Sequence, residues 1–331
     1  MSPEKSLEDK VLFRLEDESE KIQQLQERWD VALTELYKYF DIEKAENDND
    51  NEKLREIESK TIQSIDVEKT PIVLGFAGPG GAGKGTVRGQ IKEPLNTGDV
   101  INSTTRDKRD YEIDGEHYNF VTTKRLAEGT ILKKESLKVI QKSLDLEKVP
   151  EFLEEGHLDE IQSLIDEKFQ KGEIEDGIDL FPDVENHKNE FLNLTLRPLR
   201  GWYALSVKDL KSITCENSFS SFEESAPNML KIGEGVKAQG VNFYLIYVLP
   251  EQPIAKTMAT RALKRDGVEQ NSEKLLSTIG GRQILEFEKM VQMLVTGEYS
   301  TKLVLLVNDE GYEKEGEFFT RTGDALIQSF K

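Results

Sequence analysis

The chain has 331 residues, 37% of them hydrophobic and 32% charged, with a formal net charge of −19. That length accommodates one large domain or two ordinary ones, and that charge excludes broad binding to nucleic acid or to an anionic membrane, which needs a basic face. The single cysteine, Cys215, excludes an intrachain disulfide, and the three histidines, His117, His157 and His187, lie too far apart for a zinc site. The opening MSPEKSLEDK carries acids where a secretory leader carries bases. No window reaches the ~18 apolar residues of a membrane helix, so the expectation is a soluble, cytoplasmic protein.

In chain order, residues 5–45 are expected to be helical. Val11, Leu12, Leu15, Ile22, Leu25, Trp29, Leu33, Leu36 and Phe40 recur mostly at three- and four-residue steps. This stripe can pack on the next domain or pair two copies of the chain into a homodimer. AENDNDNE (45–52) is an acidic linker, and a short helix follows at about 53–64. The linker implies that residues 1–50 can be removed without loss of nucleotide binding. From Pro71 the character changes: Ile72, Val73, Leu74 and Phe76 form a short buried strand that ends in GPGGAGKGT (78–86), with a helix starting near Lys84. Strands are expected at Val100–Ser103 and His117–Val121. The acidic stretch 134–192 is expected to be a helical insertion, on the spacing of Leu137, Val139, Ile140, Leu144, Leu158, Ile161, Leu164, Ile165 and Phe169. NFYLIYVLP (242–250) and KLVLLVND (302–309) are further buried strands. Between them lie helices carrying Met258, Leu263, Leu275 and Ile279, and another at 281–295. Alternating strands and helices predict an α/β fold with a parallel sheet covered on both faces.

Two segments carry chemistry. Gly78, four residues, then Gly83-Lys84, between a strand and a helix, is a P-loop pattern. The backbone N–H groups of Gly78, Gly80, Gly81, Ala82, Gly83 and Gly85 can approach phosphate oxygens closely, aided by the positive end of the helix. Lys84 can reach the β- and γ-phosphates. Gly85 stands where the strict pattern has Ser or Thr, and Thr86, one place on, supplies the hydroxyl for a magnesium ion. The second segment, INSTTRDKRDYEIDGEHYNFV (101–121), places Arg106, Lys108 and Arg109 after a strand. Two arginines three residues apart, with Tyr118 nearby, can grip a phosphate dianion. The same residues also suit a salt-bridged hairpin with Asp107, Asp110, Glu112 and Asp114 as partners.

Together the two segments resemble guanylate kinases, whose P-loop has the form GPxGxGKGT and is followed by STTRxxRxxExxGxxYxF. Ser103, Thr104, Thr105, Arg106, Arg109, Glu112, Gly115, Tyr118 and Phe120 match in register, and Tyr111 stands where the family usually has glycine. The resemblance implies a three-layer α/β/α P-loop kinase with a small nucleoside-monophosphate-binding subdomain, a lid and added helices. It implies residues 1–68 as an extension and 69–331 as the kinase domain, interrupted at about 134–192. It implies ATP with Mg2+, an acceptor phosphate held by Arg106, Arg109, Tyr118 and Tyr203, and lid arginines Arg261, Arg265 and Arg282 around the transferred phosphate. Val307-Asn308-Asp309 resembles the family's VND, which puts Asn308 and Asp309 on the adenine side. Asn102, Glu112 and Glu135 are candidates for the acceptor base, although Lys133 lies where the base-reading glutamate is expected. In GWYALSV (201–207), Ala204 and Leu205 stand where the family has Gly and a base-touching hydroxyl. Glu216 is the candidate for the family's acidic strand and for the metal. The implied reaction is phosphoryl transfer from ATP to a nucleoside monophosphate, GMP first. The alternatives are a kinase for another nucleotide or a sugar phosphate, and a non-catalytic interaction protein that has kept the kinase shell.

Overall fold

The computed structural model describes residues 6–42, 50–66, 71–110, 112–116, 118–130, 138, 141–142, 158–174, 178–180, 190–199, 201–269, 271–280, 282–297, 299–308, 312–314 and 317–330. In chain order the elements are helices α1 (Leu7–Asp17), α2 (Ser19–Tyr39) and α3 (Asp50–Gln63), strand β1 (Ile72–Ala77), α4 (Lys84–Lys92), strands β2 (Thr97–Asp99), β3 (Ser103–Thr104) and β4 (Asn119–Phe120), and α5 (Thr123–Glu128). Next come α6 (Leu158–Gln170), strands β5 (Ile178–Leu180), β6 (Phe191–Arg197) and β7 (Gly201–Ser206), α7 (Val207–Glu216), β8 (Phe219–Glu223), α8 (Ala226–Ala238) and β9 (Asn242–Pro250). Helices α9 (Ile254–Asp266), α10 (Ser272–Ile279) and α11 (Arg282–Val295), strands β10 (Lys302–Asn308), β11 (Tyr312–Lys314) and β12 (Glu317–Phe319), and α12 (Arg321–Ser329) complete the described chain.

The central sheet has five strands in the order β10-β9-β1-β8-β2, every pair parallel. Side-chain alternation divides each strand between two layers. Ile72, Leu74 and Phe76 face a core with Val87, Ile91, Leu326 and Phe330 from α4 and α12. Val73 and Ala77 face the other core, with Met229 from α8, Met258 from α9 and Phe287 from α11. Gly75 belongs to the second face because a Cβ there would lie 2.5 Å from the Met229 sulfur. This is the expected three-layer arrangement. From β1 the chain fills one side of the sheet with β2 and β8, then crosses to the other side with β9 and β10. The strand order therefore reverses at β1, and the crevice beyond its carboxyl end is where ligands bind in such sheets.

A second sheet, β4-β3-β7-β6-β5, is antiparallel except for the β3–β4 pair. One face holds Leu194, Leu196, Trp202 and Ala204 against Leu126 of α5 and Ile161 and Ile165 of α6. The expected strand at 100–103 is two strands: the chain leaves the central sheet after Asp99 and joins the second sheet at Ser103. Near the stretch expected as a helical insertion, Glu190 N donates to Gly129 O at 2.8 Å and Arg125 pairs with Glu190, so the chain before and after it meets at this point. Its described part contains α6 and β5. Leu137, Val139, Ile140 and Leu144 lie outside the described residues.

The N-terminal helices are built into this core. The single helix expected over 5–45 is broken at Glu18 into α1 and α2. Val11, Leu15, Ile22, Trp29, Leu33 and Leu36 are buried in the same cluster as Val73 and Phe287, so the apolar stripe is used within the chain. Helix α3 covers the edge strand β10 with side chains in place of a sixth strand. Thr61 Oγ1 accepts from Leu305 N at 3.1 Å, Glu58 Oε1 accepts from Val307 N at 2.8 Å, and Arg55 donates to Val307 O at 2.6 Å. An exposed edge is a template for aggregation, and here it is closed. Among the described residues no helix is long and apolar enough to cross a membrane.

Candidate functional site

The loop after β1 turns sharply because three glycines take positive φ: Gly78 at 138°, Gly81 at 81° and Gly83 at 92°. At Gly78 a Cβ would lie 2.2 Å from Val248 O, and at Gly83 it would lie 2.1 Å from Asn308 Nδ2. The loop is thus pressed against the ends of β9 and β10, and only glycine fits there. Lys84 opens α4 and folds back over the loop, donating to Gly78 O at 2.9 Å and Pro79 O at 3.1 Å. Burial lowers its pKa, and the carboxylates of Glu223 and Glu286 act in the opposite direction. A lysine cation at the start of a helix that follows a glycine-rich turn suits an anionic ligand.

Beyond the loop lies a cleft of about 940 Å³, lined by Gly80, Gly81, Gly83, Lys84, Gly85 and Thr86 on one side. Lys256, Thr257, Thr260, Arg261, Lys264 and Arg265 of α9 line the other. The three- and four-residue spacing puts these six side chains on one helix face. Arg265 is exposed to the cleft. Arg261 is instead a strut: it donates to Gly81 O at 3.3 Å, Ala82 O at 3.4 Å and Asn308 O at 3.2 Å. Asn308, expected on the adenine side, also braces the loop, donating from Nδ2 to Ala82 O at 2.7 Å. Asp309 and Glu135 lie outside the described residues, as does the side chain of Arg282.

The carboxylate at the cleft is Glu223, at the carboxyl end of β8 and level with Phe76 in the register. Arg88 stands 3.9 Å from it and also bonds Asp99 and Ser221. The expected acid, Glu216, is exposed at the end of α7, before β8 begins. Because β8 runs parallel to β1, that position is at the sheet edge opposite the P-loop. Phe-Glu-Glu closing a short strand was the signal for Glu223, masked by two serines in the strand. Thr86 and Glu223 offer hard oxygen donors on the same cleft, which suits magnesium.

On the second sheet the structure brings Arg106, Tyr118 and Tyr203 together. The Arg106 guanidinium lies 4.8 Å from the Tyr118 ring centre and 5.6 Å from that of Phe120, and the Tyr118 and Tyr203 rings are 5.9 Å apart. Glu112, expected at the acceptor base, is buried and grips Arg106 with both oxygens, one at 2.7 Å, while accepting Arg109 N at 2.8 Å. It therefore orients the arginine and has no edge left for a base. The pair drives the Arg106 pKa up and lowers that of Glu112 to about 2. Arg109 is exposed on the same turn. Asn102 accepts Asn119 N through its main chain at the start of β3.

The polar residues that line β6 went unread in the sequence. Asn193 and Thr195 are both buried, and Leu205 N donates to Asn193 Oδ1 at 3.0 Å. Asn228, in the first turn of α8, donates to Thr195 Oγ1 at 3.3 Å. Arg197 continues the row and pairs with Glu224 at 3.5 Å. Their alternation at 193, 195 and 197 in an apolar strand was the available signal.

Residues 68–143 match the family model described as guanylate kinase. That part of the chain, which holds the P-loop and the Arg106 turn, is similar to guanylate kinases. Guanylate kinase of Helicobacter pylori strain ATCC 700392 / 26695 is 40% identical over 58 residues, which is 17% of this chain and 28% of that protein. Those of strains HPAG1 and J99 match to the same extent. The matched segment thus spans under a third of these relatives' own length. A crystal structure of guanylate kinase from Anaplasma phagocytophilum superposes with a TM-score of 0.29 at 13% identity, covering 79% of this chain and 84% of that one. The sequence match contains both the P-loop and the Arg106 turn.

Proposed function

We propose that the chain is a phosphotransferase that moves the γ-phosphoryl group of ATP, with Mg2+, onto the phosphate of a nucleoside monophosphate, with GMP the first candidate. The supporting observation is Lys84 folded over a loop with three positive-φ glycines, facing a cleft whose opposite wall carries Arg265. In this reading the acceptor phosphate, gripped by Arg106, Arg109, Tyr118 and Tyr203, presents an oxygen to the γ-phosphorus. The P–O bond to the β-phosphate breaks, and ADP leaves. The chain's contribution is position and charge: Lys84 and Arg265 offset charge on the transferring group, and Arg261 and Asn308 keep the loop rigid. Thr86 and Glu223 would hold magnesium, which neutralises phosphate charge when bound. The domain assignment follows: residues 72–330 carry the reaction, and the excursion between Gly129 and Glu190 is an addition to the acceptor sheet.

One observation favours a second acceptor class. Asn193, Thr195 and Asn228 are hydrogen-bonded to one another and to Leu205 N, beside an apolar Leu205 side chain. Guanine presents adjacent donors that are best met by a carboxylate, and none of these four residues carries one. A different nucleotide or a sugar phosphate then takes the site with the same phosphate grip.

The test is an acceptor screen with ATP and magnesium, comparing GMP, dGMP, AMP, UMP and a sugar phosphate on wild type, Lys84→Ala, Arg106→Ala and Tyr118→Phe. Lys84→Ala is expected to abolish transfer to every acceptor. Loss of a charge-assisted hydrogen bond at Arg106 costs roughly 1.5–3 kcal/mol, or about ten- to a hundredfold in acceptor use, with ATP binding retained. Unchanged turnover in Lys84→Ala overturns the kinase reading. Unchanged acceptor use in both acceptor-site variants overturns the monophosphate site alone.

A further inference from the structure

The helix that carries Arg261 and Arg265 cannot cap itself. The first four N–H groups of a helix have no intrahelical acceptor, and the N-cap position of α9 is Pro253, with no capping side chain. Two glutamines take over. Gln252 Oε1 accepts the Ile254 N–H at 3.2 Å. Gln26 Oε1, from the middle of α2, accepts the Ala255 N–H at 2.9 Å. The Gln26 amide nitrogen then donates to Gln252 Oε1 and to Asp30 Oδ1, both at 2.7 Å, so the two caps are locked to each other. Gln26 is buried beneath the helix end it serves.

The next helix is also held from the N-terminal segment. Ser272, which opens α10, accepts from Arg14 of α1 at 2.7 Å and donates to the buried carboxylate of Glu18. At the other end of α10 the Trp29 indole of α2 donates to Ile279 O at 3.3 Å. The α1–α2 segment thus holds the start of α9 and both ends of α10.

We propose that Gln26 is a positioning residue for the donor-phosphate site. It caps α9 from a segment more than two hundred residues away, and so sets Arg261 on the P-loop and Arg265 along the cleft before nucleotide arrives. Arg261 lies about two turns from the capped end, and the first turn itself brings Lys256 and Thr257 to the cleft. A frayed first turn would therefore move cleft residues directly and loosen the strut behind the loop. The proposal rests on reading the cleft as a triphosphate site.

Gln26→Leu removes the acceptor at similar size. Gln26→Glu retains an oxygen for Ala255 N–H, and pairing it with Asp30→Asn avoids setting two carboxylates 2.7 Å apart. Two measurements apply: amide hydrogen exchange over residues 254–266 without ligand, and the Kd for ATP with magnesium. Loss of a cap makes Gln26→Leu exchange on the order of tenfold faster in the first turn of α9. It also raises the Kd for ATP severalfold, while acceptor KM stays at the wild-type value. The double variant Gln26→Glu/Asp30→Asn loses less than Gln26→Leu in both. Unchanged exchange in Gln26→Leu overturns the proposal, as does an equal loss of ATP affinity in Gln26→Leu and the double variant. If wild type fails to bind ATP, the functional reading falls while the exchange comparison still decides the cap. Should Gln26→Leu fail to fold, Gln252→Met removes the companion cap and is judged by the same two outcomes.

Discussion

Replacing Trp29 by alanine tests whether the N-terminal helices are part of the core that carries the P-loop. The side chain is fully buried, its ring centre lies 5.4 Å from that of Phe287, and its N–H is bonded to Ile279 O. Truncating a fully buried tryptophan to alanine costs about 3–5 kcal/mol, from lost transfer energy and the cavity left behind. That is a large share of the ~5–15 kcal/mol by which domains are stable. At about 2–4 °C per kcal/mol for a chain of this size, the melting temperature should fall by roughly 6–20 °C. Trp29→Phe keeps most of the ring and loses the hydrogen bond, so its cost should be nearer 1 kcal/mol. Urea unfolding followed by circular dichroism gives both values, and fluorescence of the remaining Trp202 reports on the second sheet. A detached extension predicts a different result: Trp29→Ala would shift the midpoint by less than ~1 kcal/mol, and a chain lacking residues 1–42 would melt like the parent. That result would refute the shared core. With the shared core, the truncated chain exposes the faces of α9 and α11 and aggregates.

Gly83→Ala should abolish nucleotide binding and lower stability, since the new Cβ would meet Asn308 Nδ2 at 2.1 Å with φ at 92°; nucleotide titration and a melt check both. Glu112→Gln should alter the acid limb of stability. The Glu112 pKa is lowered from 4.5 to about 2, so its pairing with Arg106 contributes fully above pH 4.5 and is lost as pH falls toward about 2. Melting temperatures between pH 6 and pH 2 should therefore fall less steeply in the variant than in wild type, and parallel curves would show that the pair adds no pH-dependent stability.

The P-loop was legible in the sequence because it is local. Gly78, Gly83 and Lys84 act through backbone turns fixed within nine residues, so spacing alone carries the geometry. The long apolar strands at 242–250 and 302–309 were equally plain. The second sheet was not, because β3 and β4 are two residues each and β3 joins the rest of the sheet through β7, about a hundred residues later. Glu223 was missed for a related reason: Ser220 and Ser221 fill the middle of a buried strand and erase its apolar signal. The Arg106–Glu112 pair was one of two readings that the turn's charges allowed, whereas the bond from Asn308 to Ala82 O is one that no spacing reveals. Gln26 is the extreme case, since a polar residue on a Glu- and Lys-rich helix gives no hint that its acceptor oxygen serves a helix end 229 residues away.

The N-terminal helices and the segment between Gly129 and Glu190 are built into different sheets. The latter closes on one hydrogen bond, Glu190 N to Gly129 O. Its described part belongs to the second sheet: β5 pairs with β6, Ile161 and Ile165 of α6 share a core with Leu194 and Trp202, and the Trp202 indole donates to Leu158 O. The N-terminal helices share a core with β1, supply hydrogen bonds to the edge of β10, and cap the helix that braces the P-loop. A change at α9 is consequently felt through residues 7–63, and a change at the second sheet through α6 and β5.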